Sequence, residues 1–458
     1  MAIHGQDGPT AARNWLAGLQ QDIQEGALSD DQRTDLLTQL KVLGRDLSNV
    51  KALYNKSGFS VLGHYGFGEF PRRTAREALR CMANALLLIP QTQNYFADLG
   101  FLPKAVDGLR LEDNEDEFLL SRVLFLMTYN KTASFEEIAD KFHLCDSIIE
   151  HIRRHASDAQ ALDSDPTATS ALSETLKLLF NIVHAHPKYA AQLATAVPAL
   201  LRTVASSSTP SPPLQPPLTW KLNALASLDF SASPEGDNIE ASLGSDLPAT
   251  LDKLISILDE TLKVYKASQL DTEAMPLITT LQKINAAAGG GETRQKMKAA
   301  LLPKDSERDL PLGQSSSLAS RLLRITTHPG LGNIPEAVSS LLFELSDKDA
   351  VSYIQNVGYG YAAGYLMTHN IAVPGGIQQP STGKGSVPIN PVTGQRLDRE
   401  PEQPLPNMTR EEKEREAERL FVLFERLKAT GVVDVQNPIQ QAQGSGRIEE
   451  LEDSDDSN

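Results

Sequence analysis

From residue 12 to about residue 372, apolar residues return at helical spacing, and runs with the alternation of a strand are nearly absent. TDLLTQLKVLGRDL (34–47), REALRCMANALLLI (76–89), EFLLSRVLFLM (117–127), SETLKLLFNIVHAH (173–186), LDKLISILDETLKVY (251–265), MPLITTLQKINAAA (275–288) and EAVSSLLFELS (336–346) all read as helices. Most are apolar on two sides. A helix lying on a surface needs one apolar stripe, whereas a helix stacked between neighbours must bury two. The chain is therefore expected to be all-α, a stacked array of helices. Stop signals mark its joints at Pro90, Gly100 with Pro103, Pro187, Pro303 and Gly332.

Several helices share a local grammar. LRCMAN (79–84), LKLLFN (176–181) and LTWKLN (218–223) each place Leu five residues before Asn, at Asn84, Asn181 and Asn223. Asn is a poor helix former, so its return at one register in apolar helices implies a repeated role. In armadillo-type solenoids such an Asn often faces the inner groove, where its amide pairs with a bound peptide backbone. The alternative is a bond from each Asn to a neighbouring loop carbonyl. The spacings between these residues, and onward to Asn285, are irregular, so the repeats are degenerate.

An arginine stripe stands beside the first of these Asn residues. In FPRRTAREALRCMAN (70–84), Pro71 can open a helix, and Arg73, Arg76, Arg80 and Asn84 then follow on one face. Arginine suits bidentate contact with carboxylates, so the stripe is a candidate for a partner's acidic groups. Lys177, Asn181 and His184 repeat the arrangement more weakly. The bland reading is a solvated helix face.

The formal net charge of −16 argues against nucleic acid or an anionic membrane as the main partner, since both select basic surfaces. Cys81 and Cys145 are the only cysteines, which implies no disulfide framework and fits a reducing compartment. MAIHGQDGPTAARNW lacks a basic flank followed by an apolar run, so no signal peptide is expected. Runs such as ALLLIP (85–90) are too short to cross a bilayer. A cytoplasmic protein is expected.

Two glycine motifs invite a phosphate reading and fail it. In GYGYAAG, Gly358, Gly360 and Gly364 follow a helical run, not a strand, and the third glycine comes one residue late. Gly358 is expected to end one helix with positive φ, with Ala362, Ala363 and Gly364 letting the next pack closely. STGKGS (381–386) lacks the first glycine and the final hydroxyl of a P-loop. Among metal candidates, His151 and His155 share a helix face near His143 and Cys145, but Arg153 and Arg154 lie between them. No nucleophile elbow or zinc-protease helix is present. No catalytic residue, cofactor or metal is expected.

Composition changes along the chain. SSSTPSPPLQPPL (206–218) and SPEGDNIEASLGSDLP (233–248) read as insertions. The expected organisation is a helical array over 1–374, a flexible linker over 375–407, a separate helix over 408–431, and an acidic disordered tail over 432–458. The separate helix, MTREEKEREAERLFVLFERLKATG, has Thr409 and Glu412 as a capping box. Its Leu420, Phe421 and Phe424 lie on an apolar face that must dock somewhere.

GYGYAAGYL (358–366), INPVTGQRLD (389–398) and MTREEKEREAERLFVLFERL (408–427), in that order, resemble the C-terminal region of the synembryn family. These are the cytosolic exchange factors and folding chaperones of heterotrimeric G-protein α subunits, also called the resistance-to-inhibitors-of-cholinesterase family. LRCMANALL, SRVLFLMT (121–128) and LKLLFNIV (176–183) also look like that family's helices, so the resemblance covers most of residues 70–430. Short insertions and lean length look like a fungal-type member.

The resemblance implies an armadillo/HEAT-like α-solenoid superhelix whose concave face takes the C-terminal helix of Gα. Arg76, Arg80, Asn84 and Asn181 are then groove candidates, and the 409–428 helix would fold over the Ras-like domain of Gα. A monomer acting through Gα, and reaching the cell cortex or plasma membrane with it, is expected. An armadillo adaptor that carries peptide cargo without exchange activity is the alternative. Animal members carry an acidic, phosphorylatable segment between the first two motifs, whereas GGIQQPSTGKGSVPI (375–389) has no acidic residue. Ser454 and Ser457 in the tail are a weaker substitute.

Overall fold

Short polar residues precede several of the apolar runs, and they set those helix starts. The side chains of Ser29, Asn55, Asp113, Asp165, Ser317 and Asp349 each accept a backbone N–H from the first turn of the helix they open. In this computed structural model the described residues are 7–50, 54–130, 135–231, 246–288, 291–373 and 388–400, with Thr409, Glu412, Arg415, Arg419, Phe421 and Val422 beyond them. Contacts divide the chain into two compact units, 1–304 with 315–348, and 305–314 with 349–458.

The longer helices of the first unit begin with α1 Gly8–Glu25, α2 Asp30–Leu43, α3 Lys56–Phe67, α4 Arg72–Leu88 and α5 Phe101–Gly108. They continue with α6 Asn114–Met127, α7 Leu144–Ser157, α8 Pro166–Ala185, α9 Val197–Ala205 and α10 Leu218–Ser227. The last are α11 Asp246–Val264, α12 Met275–Ala287, α13 Glu292–Leu301, α14 Leu318–Thr326 and α15 Ile334–Leu345.

The even-numbered helices α2 to α12 each pack on the next, and α15 extends that ladder beyond α12. Helices α7, α9, α11 and α13 form a second layer behind it, with α3, α5, α7 and α9 packed on α4, α6, α8 and α10. This is the armadillo/HEAT-like arrangement. It explains the two apolar sides of the ladder helices: Leu120, Leu124 and Met127 of α6 and Leu172, Leu176 and Leu179 of α8 are all buried. Buried hydroxyl pairs join neighbouring rungs, Thr34 with Thr74 at 2.9 Å and Ser121 with Thr175 at 3.0 Å.

Each ladder helix leaves carbonyls unpaired at its C-terminal end. Side chains of the next rung reach these ends. Asn84 Nδ2 donates to Lys41 O at 3.2 Å, at the end of α2. Asn181 Nδ2 donates to Thr128 Oγ1 at 2.9 Å, where Thr128 closes α6. Lys283 Nζ donates to Ala226 O and Leu228 O at 2.6 and 2.5 Å, at the end of α10.

In the second unit, α16 Ala350–Val357 and α17 Tyr359–Thr368 meet at Gly358, whose φ is +82°. The positive φ expected there is present. The loop 388–400, expected within an extended linker, is folded in its described part: Ile389 and Arg396 form an antiparallel bridge. Its carbonyls occupy the start of α17, Pro391 O accepting from Tyr359 N at 2.8 Å and Val392 O from Gly360 N at 3.1 Å. Buried Arg308 binds this clasp together, donating to Gly394 O at 3.0 Å, Gln355 O at 2.9 Å and Asn356 O at 3.2 Å. The glycine string thus seats its own chain's NPVTG loop. Ala362 is buried as expected, but Gly364 is exposed and has nothing near the place of a Cβ.

A candidate partner-binding face on the helix ladder

The register of α4 puts Arg73, Arg76, Arg80 and Asn84 on one side of the helix, as the sequence implied, yet their surroundings differ. Arg73 is exposed, 3.6 Å from Asp31. Arg76 is enclosed by carboxylates of the α6 start: Asp113 at 2.5 Å, Glu115 at 2.5 Å and Asp116 at 2.7 Å. Side-chain hydrogen bonds to Asp116, the largest influence, and to Asp113 raise its pKa further above the usual arginine value. Arg76 is therefore already partnered by carboxylates of its own chain. Arg80 donates to Glu77 at 2.7 Å and lies 3.5 Å from Glu115.

The Asn grammar also resolves differently. The amide donors of Asn84 and Asn181 are engaged at the ends of the preceding rungs, Asn84 on a helix carbonyl and Asn181 on a threonine hydroxyl, neither of them the loop carbonyl of the alternative reading. Asn285 is buried, with Nδ2 3.3 Å from Glu344. Asn223 is half-buried on α10.

Sequence reasoning missed the apolar part of this side. Leu87 on α4, Tyr129 just after α6 and Phe180 on α8 are 55%, 58% and 40% exposed. Phe125 and Tyr129 meet edge to face at 5.6 Å, and Phe180 stacks on His184 at 6.4 Å. Phe118, Arg122, Phe125 and Tyr129 follow at steps of four, three and four, a signal that could have been read as an outward stripe. Beside it runs a polar row: Arg122 bonds Glu174 at 3.1 Å, Glu174 bonds Lys177 at 2.9 Å, and Lys177 lies over the Trp220 ring at 4.8 Å. Contacts thus link α4, α6, α8 and α10 along one side.

Behind this face the histidine cluster has another task. His151 and His155 do share a side of α7, and both turn to Glu117, which is fully enclosed. His155 Nε2 is 2.9 Å and His151 Nδ1 3.2 Å from Glu117 Oε2, and Arg154 reaches the same oxygen at 2.5 Å. Desolvation pushes the Glu117 pKa up, but bonds from the two histidines outweigh it and hold it well below the usual carboxylate range. His143 is exposed at the start of α7, and Cys145 is buried. Among the described residues no group of His, Cys, Asp and Glu is placed to hold a metal. No described helix is long and apolar enough to cross a membrane.

In the C-terminal segment the capping box forms: Thr409 N donates to Glu412 at 2.9 Å and Glu412 N to Thr409 Oγ1 at 3.3 Å. Phe421 is half-buried. Leu420 and Phe424 lie outside the described residues.

The two-layered ladder, with exposed aromatic residues along one side, defines a helical-repeat protein. Residues 36–447 match the family described as guanine nucleotide exchange factor synembryn, and the chain belongs to that family. It is 24% identical over 465 residues to Chaperone Ric-8A of Pongo abelii, covering 92% of this chain and 86% of that protein. It is 24% identical over 461 residues to Chaperone Ric-8A of Bos taurus, covering 92% of this chain and 86% of that protein. Over 171 residues it is 33% identical to a synembryn-like chaperone of Schizosaccharomyces pombe, covering 34% of this chain and 32% of that protein.

Proposed function

We propose that the protein is a non-receptor exchange factor and folding chaperone for heterotrimeric G-protein α subunits, and that it takes the C-terminal helix of Gα along the outward side of α4, α6, α8 and α10. Membership of the synembryn family supports the activity. The observation that carries the choice of face is the row of exposed Leu87, Tyr129 and Phe180 beside a polar row of Arg80, Arg122 and Lys177. An amphipathic helix laid in such a place buries its apolar side and pairs its charges at the rim. Arg73, Arg76, Arg80, Asn84, Lys177, Asn181 and Asn223 border that face, with Arg76 acting through the carboxylates it holds.

Exchange then follows from linkage. A protein that binds nucleotide-free Gα more tightly than GDP-bound Gα must weaken GDP binding by the same factor. A coupling of about 3 kcal/mol corresponds to roughly 150-fold. Drawing the C-terminal helix of Gα from its own core supplies the differential contact, because that helix supports a loop gripping the guanine. The mechanism is binding, with no chemical step by the exchange factor. The same hold on a partly folded Gα makes a chaperone. Leu420, Phe421 and Phe424 of the C-terminal helix would dock on the Ras-like domain of Gα once the face is engaged. The protein works in the cytoplasm as a monomer and meets the cell cortex through Gα.

Tyr129→Ala with Phe180→Ala tests the face. Both side chains are exposed, so the fold should be untouched. Affinity for a Gα C-terminal peptide should fall about thirtyfold, the loss of two aromatic contacts of about 1 kcal/mol each. Unchanged affinity in the folded variant would move the site elsewhere.

A further inference from the structure

The carboxylates around Arg76 are not equivalent. Asp113 opens α6, accepting backbone N–H groups of Glu115 and Asp116 at 2.9 and 3.1 Å, and that role holds it in place. Asp116 is buried, with its side chain 11% exposed. Glu115 is 45% exposed, and it alone of the three spans both arginines, with Oε2 2.5 Å from Arg76 and Oε1 3.5 Å from Arg80. Removing its carboxylate would leave Arg76 with Asp113 and Asp116 and Arg80 with Glu77, so neither arginine would be stranded.

We infer that Glu115 is a built-in competitor that holds the place of a partner carboxylate between Arg76 and Arg80, and so sets how strongly this corner selects acidic ligands. The inference rests on the proposed face for the Gα helix and names one of its specificity-determining residues. An arriving carboxylate must turn Glu115 outward before it meets both guanidinium groups. A ligand without one has nothing to exchange and leaves the pair closed. The exposure of Glu115 allows that rotation into water, where the carboxylate is resolvated at little cost. Both sources of the ligand group, a chain-terminal carboxylate and an acidic side chain, have the same chemistry.

Glu115→Gln keeps the size of the side chain and removes its charge. Its affinity is measured against three forms of a Gα C-terminal peptide: the free acid, the same peptide amidated at its C-terminus, and an amidated form whose Asp and Glu are changed to Asn and Gln. The variant should bind the acidic forms about two- to fivefold more tightly than wild type, the range of a partly exposed ion pair. It should bind the neutral form unchanged. A gain confined to the free acid assigns the site to the chain terminus, and a gain kept by the amidated peptide assigns it to a side chain. Equal affinities for wild type and variant on every form, or an equal gain on the neutral form, would overturn the competitor role while leaving the face intact. If wild type binds none of the three, the face itself is misplaced and the inference falls with it. Added salt should shrink the gain, whereas an effect through folding would not follow salt in this way.

Discussion

Gly358 and Gly364 stand six positions apart on the same motif and have opposite constraints. Gly358 has φ +82°, and a Cβ there would lie 3.0 Å from Val392 O and 3.3 Å from Gly394 N. Gly364 is exposed within α17 with nothing inside 4 Å of its Cβ position. Gly358→Ala should therefore lower stability by a few kcal/mol, combining left-handed strain with displacement of the NPVTG loop. Gly364→Ala should be neutral or stabilising by up to about 1 kcal/mol, since alanine is the better helix former. Urea unfolding of the two variants checks this, and equal effects would contradict the clasp. The sequence made the positive φ at Gly358 legible, because a helix ends there. It could not reveal which loop closes on the glycines, since 388–400 is distant in the chain and has the composition of a linker.

At the scale of elements, the recurrence of Asn was legible and its direction was not. A register pattern shows that a side chain has a repeated task, but an amide donor can turn to a ligand or to the rung below. In Asn84 it turns to the end of α2, where a bare carbonyl would otherwise be left. The aromatic side of α6 escaped notice because a helix apolar all round hides which apolar residues face outward. A second joint between elements gives a pH prediction. Asp22 of α1 accepts from Arg33 Nε of α2 at 2.6 Å and from Tyr65 Oη of α3 at 2.7 Å. The bond from Arg33 is the main cause lowering the Asp22 pKa from 3.8 to about 2. With the folded value below the unfolded one, the contribution is complete above about pH 4 and is lost as pH falls toward 2. At neutral pH it amounts to about 2 kcal/mol. Asp22→Asn should lose about that much at pH 7 and show a flatter stability profile between pH 4 and pH 2. Parallel profiles for the two proteins would remove Asp22 from the acid sensitivity.

For the whole molecule, two-sided helices without strands were enough to specify a helical stack, because such helices have no other way to bury both sides. The order of three C-terminal motifs was enough to reach the family. The proposed face was only partly legible: the shared register of Arg73, Arg76 and Arg80 was visible, but not the acids that already hold Arg76. A negative chain with arginines enclosed by its own carboxylates is selective by competition, not by a bare basic patch. The central claim is that grip on the Gα C-terminal helix through the α4–α10 face is what loosens GDP. The most direct measurement is the rate of GDP release from full-length Gα with wild-type protein and with the Tyr129→Ala, Phe180→Ala variant at equal concentration. Wild type should accelerate release strongly and form a nucleotide-free complex that a GTP analogue dissolves, and the variant should lose most of both effects. Full acceleration by the variant, or unaccelerated release from Gα that wild type has visibly bound, would contradict it.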